Sequence, residues 1–282
     1  MKRFIPSIIK IFLKTNILKI QYLYRNYIRN EDFKSFQCNI CGKKSYSPLK
    51  DIIARETPSC NKCGSNLRHR SIIYALSNQL FQDDIPVSSF KLSKNLTGIG
   101  LSDSTIHSNP LKLKFNYTNT FYHKEPLLDI VGDISKYENK IDFIISSEVF
   151  EHIPPPIDVG FSNMYKILKN GGIVIFSVPY KKTGETIEHF PNLLNYEIIE
   201  KNGKKVLKNK TINGKIEYFD ELVFHGGPGA TLEMRYFSEN SLLKEIKKAG
   251  FKNVKIFNQN CEKFGIFNNR QNSFVISMQK II

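Results

Sequence analysis

Apolar positions along the chain fall into distinct regimes. In residues 1–36, Ile9, Leu13, Ile17, Ile20, Tyr24 and Tyr27 recur every three or four residues, the period of one helical face. From residue 90 onward, short apolar runs alternate with helical patterns. Strands are predicted at 95–99, 114–120, 141–146, 172–178, 254–257 and 274–278, with helices near 102–112, 156–170 and 238–250. Ser238 opens the last helix as an N-cap and Gly250 closes it. Such alternation predicts a parallel α/β sheet with helices on both faces. Between Lys181 and Arg235 the alternation stops. Asn202-Gly203 and Asn213-Gly214 mark tight turns there, predicting a β-hairpin insertion over about 181–235 at the sheet's C-terminal edge. A polar helix is expected at 71–82.

Charge refines this picture. With 41 Lys and Arg against 26 Asp and Glu, the formal charge is +15, which calls for an acidic partner or surface. Seven of the basic residues precede the first acid, Glu31, so the N-terminal pattern is a basic amphipathic helix. Lys10, Lys14 and Lys19 interrupt its apolar run, which excludes a clean membrane span, and no small-residue cleavage site follows. The helix either packs its stripe on the main domain or lies peripherally, through residues 1–30, on an anionic membrane surface. The expected location is cytoplasmic, with the inner membrane face as the site of any such contact. In the insertion, Lys201, Lys204, Lys205, Lys208, Lys210 and Lys215 occur with no acid between Glu200 and Glu217, a pattern expected of a solvated hairpin edge.

Four of the five cysteines form two C-x-x-C-G knuckles, Cys38/Cys41 and Cys60/Cys63, separated by 18 residues. Without a secretory signal they are expected to stay reduced and bind metal. The spacing predicts one closed, structural Zn2+ site in a small zinc-ribbon-like module over 37–70, and a closed four-thiolate site has no open position for catalysis. Cys261 is expected to be a small buried hydrophobe. The basic run Ser65-Asn66-Leu67-Arg68-His69-Arg70 could grip phosphate, cap the next helix or pair with an acidic face.

Ligands of open α/β sheets bind at the carboxyl ends of the strands, so the strand exits carry the chemistry. The first reads Thr97-Gly98-Ile99-Gly100-Leu101-Ser102-Asp103. Gly132-Asp133-Ile134-Ser135 follows, and then Ile144-Ile145-Ser146-Ser147-Glu148-Val149-Phe150-Glu151-His152-Ile153. A helix running into Leu168-Lys169-Asn170-Gly171-Gly172 and an apolar strand completes the series. In this order the run resembles S-adenosylmethionine-dependent methyltransferases of the Rossmann-like class over about residues 95–180. It is most similar to bacterial members with an N-terminal cysteine module, whose stretches look like Tyr117–Pro126 and Phe224–Arg235 here.

The resemblance implies a doubly wound, mostly parallel seven-stranded sheet and S-adenosylmethionine as cofactor, in a methyltransferase domain over 71–282 preceded by parts over 1–36 and 37–70. It implies that Gly98 and Gly100 back the methionine portion, that Asp133 accepts from the adenine amine with Ile134 against the ring, and that Ser147 and Glu148 line the floor beneath the sulfonium. Ser102 and Asp103 stand where the family often continues its glycine pattern, and they count among the cofactor-binding candidates. The usual ribose-gripping acid is missing after the second strand, with Asp103, Asn119 or Glu125 as substitutes.

Methyl transfer needs an aligned acceptor and a base for its proton. His225, His152 and His189 are the candidates, His225 because it opens the loop His225-Gly226-Gly227-Pro228-Gly229. Each could equally be a structural histidine. The favoured acceptor is a small molecule or glycan. Two alternatives stay open: an RNA methyltransferase using the basic face, and a non-catalytic scaffold that keeps the fold. Against RNA, the strand exit Ser146-Ser147-Glu148 lacks an element for exocyclic base amines.

Overall fold

The computed structural model describes residues 17, 19, 20, 24, 32–225, 231–268 and 273–282. Of the basic helix expected over residues 1–36, Ile17, Lys19, Ile20 and Tyr24 are helical and exposed, and Phe33–Phe36 lie instead in a β-strand paired antiparallel to Ser45–Pro48. The rest of residues 1–31, with the membrane contact, lies outside the described residues. No helix among the described residues is long and apolar enough to cross a membrane. The chain forms two compact units. One comprises Met1–Asn95, Ser104–Asn116 and Ile256–Val275, and the other Leu96–Asp103, Tyr117–Lys255 and Ile276–Ile282.

The first unit begins with an antiparallel hairpin of β1 (Phe33–Gln37) and β2 (Lys44–Pro48), whose connection carries the first cysteine knuckle. Helix α1 (Leu49–Ile53) follows, then α2 (Leu67–Phe81). Helix α2 starts four residues earlier than the apolar pattern indicates, because Asn66 and His69 form a capping box. The Asn66 side chain accepts from His69 N at 2.9 Å, and His69 Nδ1 accepts from Asn66 N at 3.4 Å. Such reciprocal satisfaction of two end groups outweighs the polar character of Leu67-Arg68-His69-Arg70. Leu67, Phe264 and Ile266 form a small core against which Tyr74 and Cys261 pack, so Cys261 is half-buried against apolar neighbours.

A six-stranded sheet is built from β3 (Ser93–Leu101), β4 (Phe115–Thr120), β5 (Ile141–Ser147), β6 (Leu168–Ser177), β15 (Lys252–Phe257) and β16 (Val275–Gln279), in the order β15-β16-β6-β5-β3-β4. Strands β3, β5 and β6 are parallel neighbours, whereas β16 runs antiparallel to β6. Helices α3 (Thr105–Lys114), α4 (Asp158–Ile167) and α5 (Glu239–Lys248) fall where the pattern puts them, with Ser104 and Ser238 as N-caps of the first and last. Strand β5 is buried at every position but Asp142, with Ile141, Phe143, Ile144 and Ile145 as its apolar stretch, as a parallel strand covered on both faces must be. At Gly98 an added Cβ would lie 2.2 Å from the Phe143 ring, and that ring stacks on Tyr117 with centroids 5.7 Å apart. Glycine at 98 is therefore required by close strand packing.

The expected count of seven strands is not met: among the described residues no strand joins this sheet between β4 and β5. That segment satisfies its backbone locally. Asp129 Oδ1 accepts from Val131 N at 3.0 Å and Asp133 Oδ1 from Ser135 N at 2.9 Å, while Pro126 has no N–H to offer a ladder.

The insertion follows β7 (Tyr180–Lys181) and β8 (Ile187–Glu188). It is a separate three-stranded antiparallel sheet, with β9 (Asn195–Lys201), β10 (Lys204–Lys210) and β11 (Ile216–Phe219) in the order β11-β10-β9. Asn202 and Gly203 both adopt positive φ, as a two-residue hairpin turn demands. Two short strands, β12 (Phe224–His225) and β13 (Thr231–Leu232), pair beyond it, and β14 (Arg235–Ser238) lies between β7 and β8. Phe190, Leu207, Leu232 and Met234 make the core of this region. Leu232 and Met234 point inward, which fixes the side chain between them.

Candidate active site

Hydrogen bonds fix the exit of β3 to that of β4. Ser102 N donates to Thr120 O at 2.7 Å, and Thr120 Oγ1 donates to Gly100 O at 2.8 Å. The Asn119 amide spans the backbone of Asp103, accepting from its N–H and donating to its carbonyl, both at 2.8 Å. Tyr117 Oη donates a short hydrogen bond to Asp103 Oδ2, holding that carboxylate in the interior. Burial, and then the Asp103 charge, push the Tyr117 phenol well above its usual range. These two side chains crowd Gly100, where a Cβ would lie 2.3 Å from Tyr117 Oη. Ser102 takes up the turn with φ +56°, in the left-handed region that favours glycine, and its side chain is exposed.

At the exit of β5, Glu148 also has a positive φ, of 58°. Its N–H donates to Ser177 O at 2.9 Å, and its Oε1 accepts from Ser177 Oγ at 3.1 Å. Ser147 and Ser177 share a hydroxyl–hydroxyl bond of 3.0 Å. Asp133 is exposed and Ile134 buried. The Ser135 N–H bond holds the Asp133 carboxyl below its usual range, so it is an ionised surface acceptor.

The 3-10 turn Phe150–His152 continues from Glu148, and at it the three histidine candidates come together. His189 Nε2 lies 2.9 Å from Glu233 Oε1, and His225 Nε2 lies 2.8 Å from Glu233 Oε2. His152 meets His225 edge-on with ring centroids 5.0 Å apart, and its Nδ1 lies 2.9 Å from Leu232 O. Burial is the main cause lowering the His152 pKa, which keeps the ring neutral. Residues 226–230 of the glycine-proline loop lie outside the described residues.

Two residues that the sequence reading passed over build this cluster. Glu233 holds two of the histidines through its two oxygens. Arg235, fully buried, donates from Nη1 to Phe150 O at 2.9 Å and Ile153 O at 2.6 Å, and from Nε to Glu188 Oε1 at 2.6 Å. It thereby clamps the turn that carries Glu151 and His152. A charged residue on each side of Met234, in a stretch otherwise reading as strand, was the available signal.

The cysteines form a second centre, in the other unit. All four sulfurs lie within 4.8 Å of one another, with Cys38 and Cys63 3.7 Å apart and Cys41 and Cys60 3.8 Å apart. Each knuckle closes the same way, with Gly42 N on Cys38 O and Gly64 N on Cys60 O, both at 2.8 Å, and both glycines at positive φ. Metal–sulfur bonds of about 2.3 Å in a tetrahedron would separate the sulfurs by about 3.8 Å, so the donor set fits a zinc ion. The thiols compete for protons: bonding to Cys38 pulls Cys60 far down and pushes Cys41 far up. A bound dication would hold all four as thiolates and remove that competition.

The basic run beside it is already engaged. Arg68 forks onto Glu56 with Nη2–Oε2 at 2.7 Å, and His69 caps the helix. Arg70 is fully buried, donating to Ser59 Oγ at 2.9 Å, Ser65 O at 3.0 Å and Gly265 O at 3.1 Å. Of the roles considered for this run, capping and acid pairing are the ones seen.

A family model described as a methyltransferase domain matches residues 85–256. No curated protein matches the sequence significantly. Among solved structures, a SAM-dependent methyltransferase from Archaeoglobus fulgidus is 14% identical, covering 66% of this chain and 86% of that one, with a TM-score of 0.38. A 1,6-didemethyltoxoflavin-N1-methyltransferase from Burkholderia thailandensis, with that compound and S-adenosylhomocysteine bound, is 10% identical over 66% and 71%, with a TM-score of 0.38. Phosphoethanolamine N-methyltransferase 2 of Haemonchus contortus, in complex with S-adenosylmethionine, is 12% identical over 70% and 50%, with a TM-score of 0.37.

Proposed function

The chain belongs to the methyltransferase-domain family, and on that premise we propose that it transfers a methyl group from S-adenosylmethionine to a small-molecule or glycan acceptor by in-line displacement. When bound, the cofactor supplies a methyl carbon already activated by its sulfonium. The chain has to hold that group, align the acceptor and take up a proton. In this reading the Gly98–Asp103 turn, with Ser102 as its exposed member, holds the methionine portion. Glu148 and Ser147 form the floor, where a carboxylate suits a sulfonium cation. Asp133 accepts from the adenine amine, with Ile134 behind it. Asn119 spends both ends of its amide on Asp103, and Asp103 is held by Tyr117. That leaves Glu125, exposed and with Oε2 on Leu127 N, as the ribose-gripping acid.

The observation that carries the proposal is the convergence of His189 and His225 on the two oxygens of Glu233, with His152 against His225. Each imidazole bonded to Glu233 keeps its second nitrogen for the acceptor's proton, and the carboxylate stabilises the imidazolium that forms. The His225 side chain is the most open of the three at 37% exposure, against 26% and 14% for His189 and His152. It is therefore the first proton acceptor in this scheme. Residues 37–70 act as a module held by one structural Zn2+ on Cys38, Cys41, Cys60 and Cys63, and residues 71–282 as the transferase domain. Engagement of Arg68, His69 and Arg70 within the fold favours the small acceptor over RNA, since these residues are spent before any phosphate arrives.

The test is transfer of labelled methyl from the cofactor into a fractionated extract of the source cells. Label is expected in a small-molecule or glycan fraction, and label confined to nucleic acid would overturn the acceptor reading. Glu233→Gln should slow incorporation about 100-fold while leaving the Kd for the cofactor unchanged.

A further inference from the structure

We propose that Glu151, His152 and His225 form a site for a first-row divalent cation beside the methyl-transfer centre. One ligand atom from each of the three lies within 4.8 Å of the others. Bonds of about 2.1 Å would bring these atoms to about 3 to 3.4 Å from one another, a contraction of at most about 1.4 to 1.8 Å. Two imidazoles and one carboxylate are a donor set that selects manganese, iron, cobalt, nickel or zinc over magnesium.

The hydrogen bonds around the two histidines leave one nitrogen of each ring with its lone pair. Leu232 O can only accept, so His152 Nδ1 carries the proton and Nε2 presents its lone pair. That lone pair faces Glu151 Oε1 at 3.8 Å, on a side chain with no solvent exposure. A cation at this place would be met by an imidazole nitrogen and a carboxylate oxygen together. His225 donates from Nε2 to Glu233 at 2.8 Å, which leaves its other nitrogen with a lone pair. An imidazole bonded on its far side to a carboxylate or carbonyl is the usual outer arrangement of a metal-bound histidine. The scaffold is fixed as well, since Met234 N donates to Glu151 O at 2.7 Å and Arg235 clamps both ends of the turn.

This inference rests on the methyltransferase reading and refines it. A bound cation polarises the acceptor's oxygen or nitrogen and lowers its pKa. With His225 engaged as a ligand, proton acceptance passes to His189 on the other oxygen of Glu233.

The experiment titrates Mn2+ into the full chain already carrying one zinc per molecule, with free Mn2+ read by electron paramagnetic resonance. One Mn2+ should bind per chain, and His225→Ala should weaken it at least tenfold with zinc content unchanged. Glu151→Gln should do the same, and the more exposed His225 guards against a variant that only fails to fold. Absence of binding at millimolar Mn2+, or binding undiminished in His225→Ala, overturns the proposal. A parallel titration with S-adenosylmethionine separates the two readings. Cofactor binding without Mn2+ sinks the cation site alone, and Mn2+ binding without cofactor sinks the methyltransferase reading alone.

Discussion

The four-cysteine cluster and the histidine–glutamate cluster solve the same problem, gathering ligating side chains, in opposite ways. The cysteines come from two identical turns, each closed by its own glycine, with 18 residues between the turns. The histidine cluster is assembled from three distant stretches, around residues 151, 189 and 225–235, and depends on Glu233 and Arg235 to hold them. Local assembly makes a closed staple. Long-range assembly makes a site whose groups keep lone pairs to spare, at the cost of relying on buried charges.

That contrast is broken most severely by Cys60→Ser. Structural zinc sites contribute about 10 kcal/mol or more to their modules, so the variant should lose its zinc and become protease-sensitive across residues 37–70. Affinity for S-adenosylmethionine should stay within about threefold. Metal analysis, limited proteolysis and cofactor titration on one preparation check this. A variant that keeps full stability but loses methyl transfer would show that the cysteines take part in the chemistry.

Next in size is Arg235→Met, which removes a buried guanidinium from Glu188 and from two carbonyls. Breaking one partner of such a network costs about 3 kcal/mol, read as a lower urea midpoint with the zinc retained. If stability is unchanged, Arg235 does not hold the histidine turn.

A smaller effect sharpens the cysteine side. Burial, and then the nearby His107, hold the His69 pKa down to about 3. Arg68, Glu56 and Arg70 also face it, Glu56 acting in the opposite sense. A folded pKa below the unfolded value of about 6.5 means that the unfolded chain binds the proton first. Stability is therefore complete above about pH 6.5 and declines as pH falls toward 3, by about 2 to 3 kcal/mol at pH 4.5. His69→Gln keeps an acceptor for the capping box and removes the titration. Its stability curve should be flatter than the wild type's between pH 6.5 and 4.5, and parallel curves would refute the assignment. The smallest change, Asn66→Ala, removes the cap and should cost about 1 kcal/mol, checked by the same urea melts.

How much of this was legible beforehand follows from the same contrast. The knuckles, the six sheet strands and the capped helix ending at Gly250 rest on local signals, because spacing, periodicity and cap residues act over a few positions. Asn66 as a cap was one of several readings of a basic run, and only its pairing with His69 decides it. The seventh strand came from resemblance, and it gave way to Asp129 and Asp133, whose side chains satisfy the backbone in turns. Glu148, His152, His189 and His225 were visible as residues, but their grouping was not. Glu233 meets two of them across 44 residues and 8 residues of sequence, and no pattern along the chain encodes that meeting. Gly98 and Gly100 show the converse, where two glycines suited to a ligand are also required by Phe143, Tyr117 and Asp103.

The most direct measurement is calorimetric titration of S-adenosylmethionine into the zinc-loaded full chain, alongside Asp133→Asn and Cys60→Ser. One site per chain is expected, with a Kd in the micromolar range, below about 1 mM, weakened about tenfold by Asp133→Asn and changed by no more than about threefold by Cys60→Ser. No binding at millimolar cofactor would contradict it.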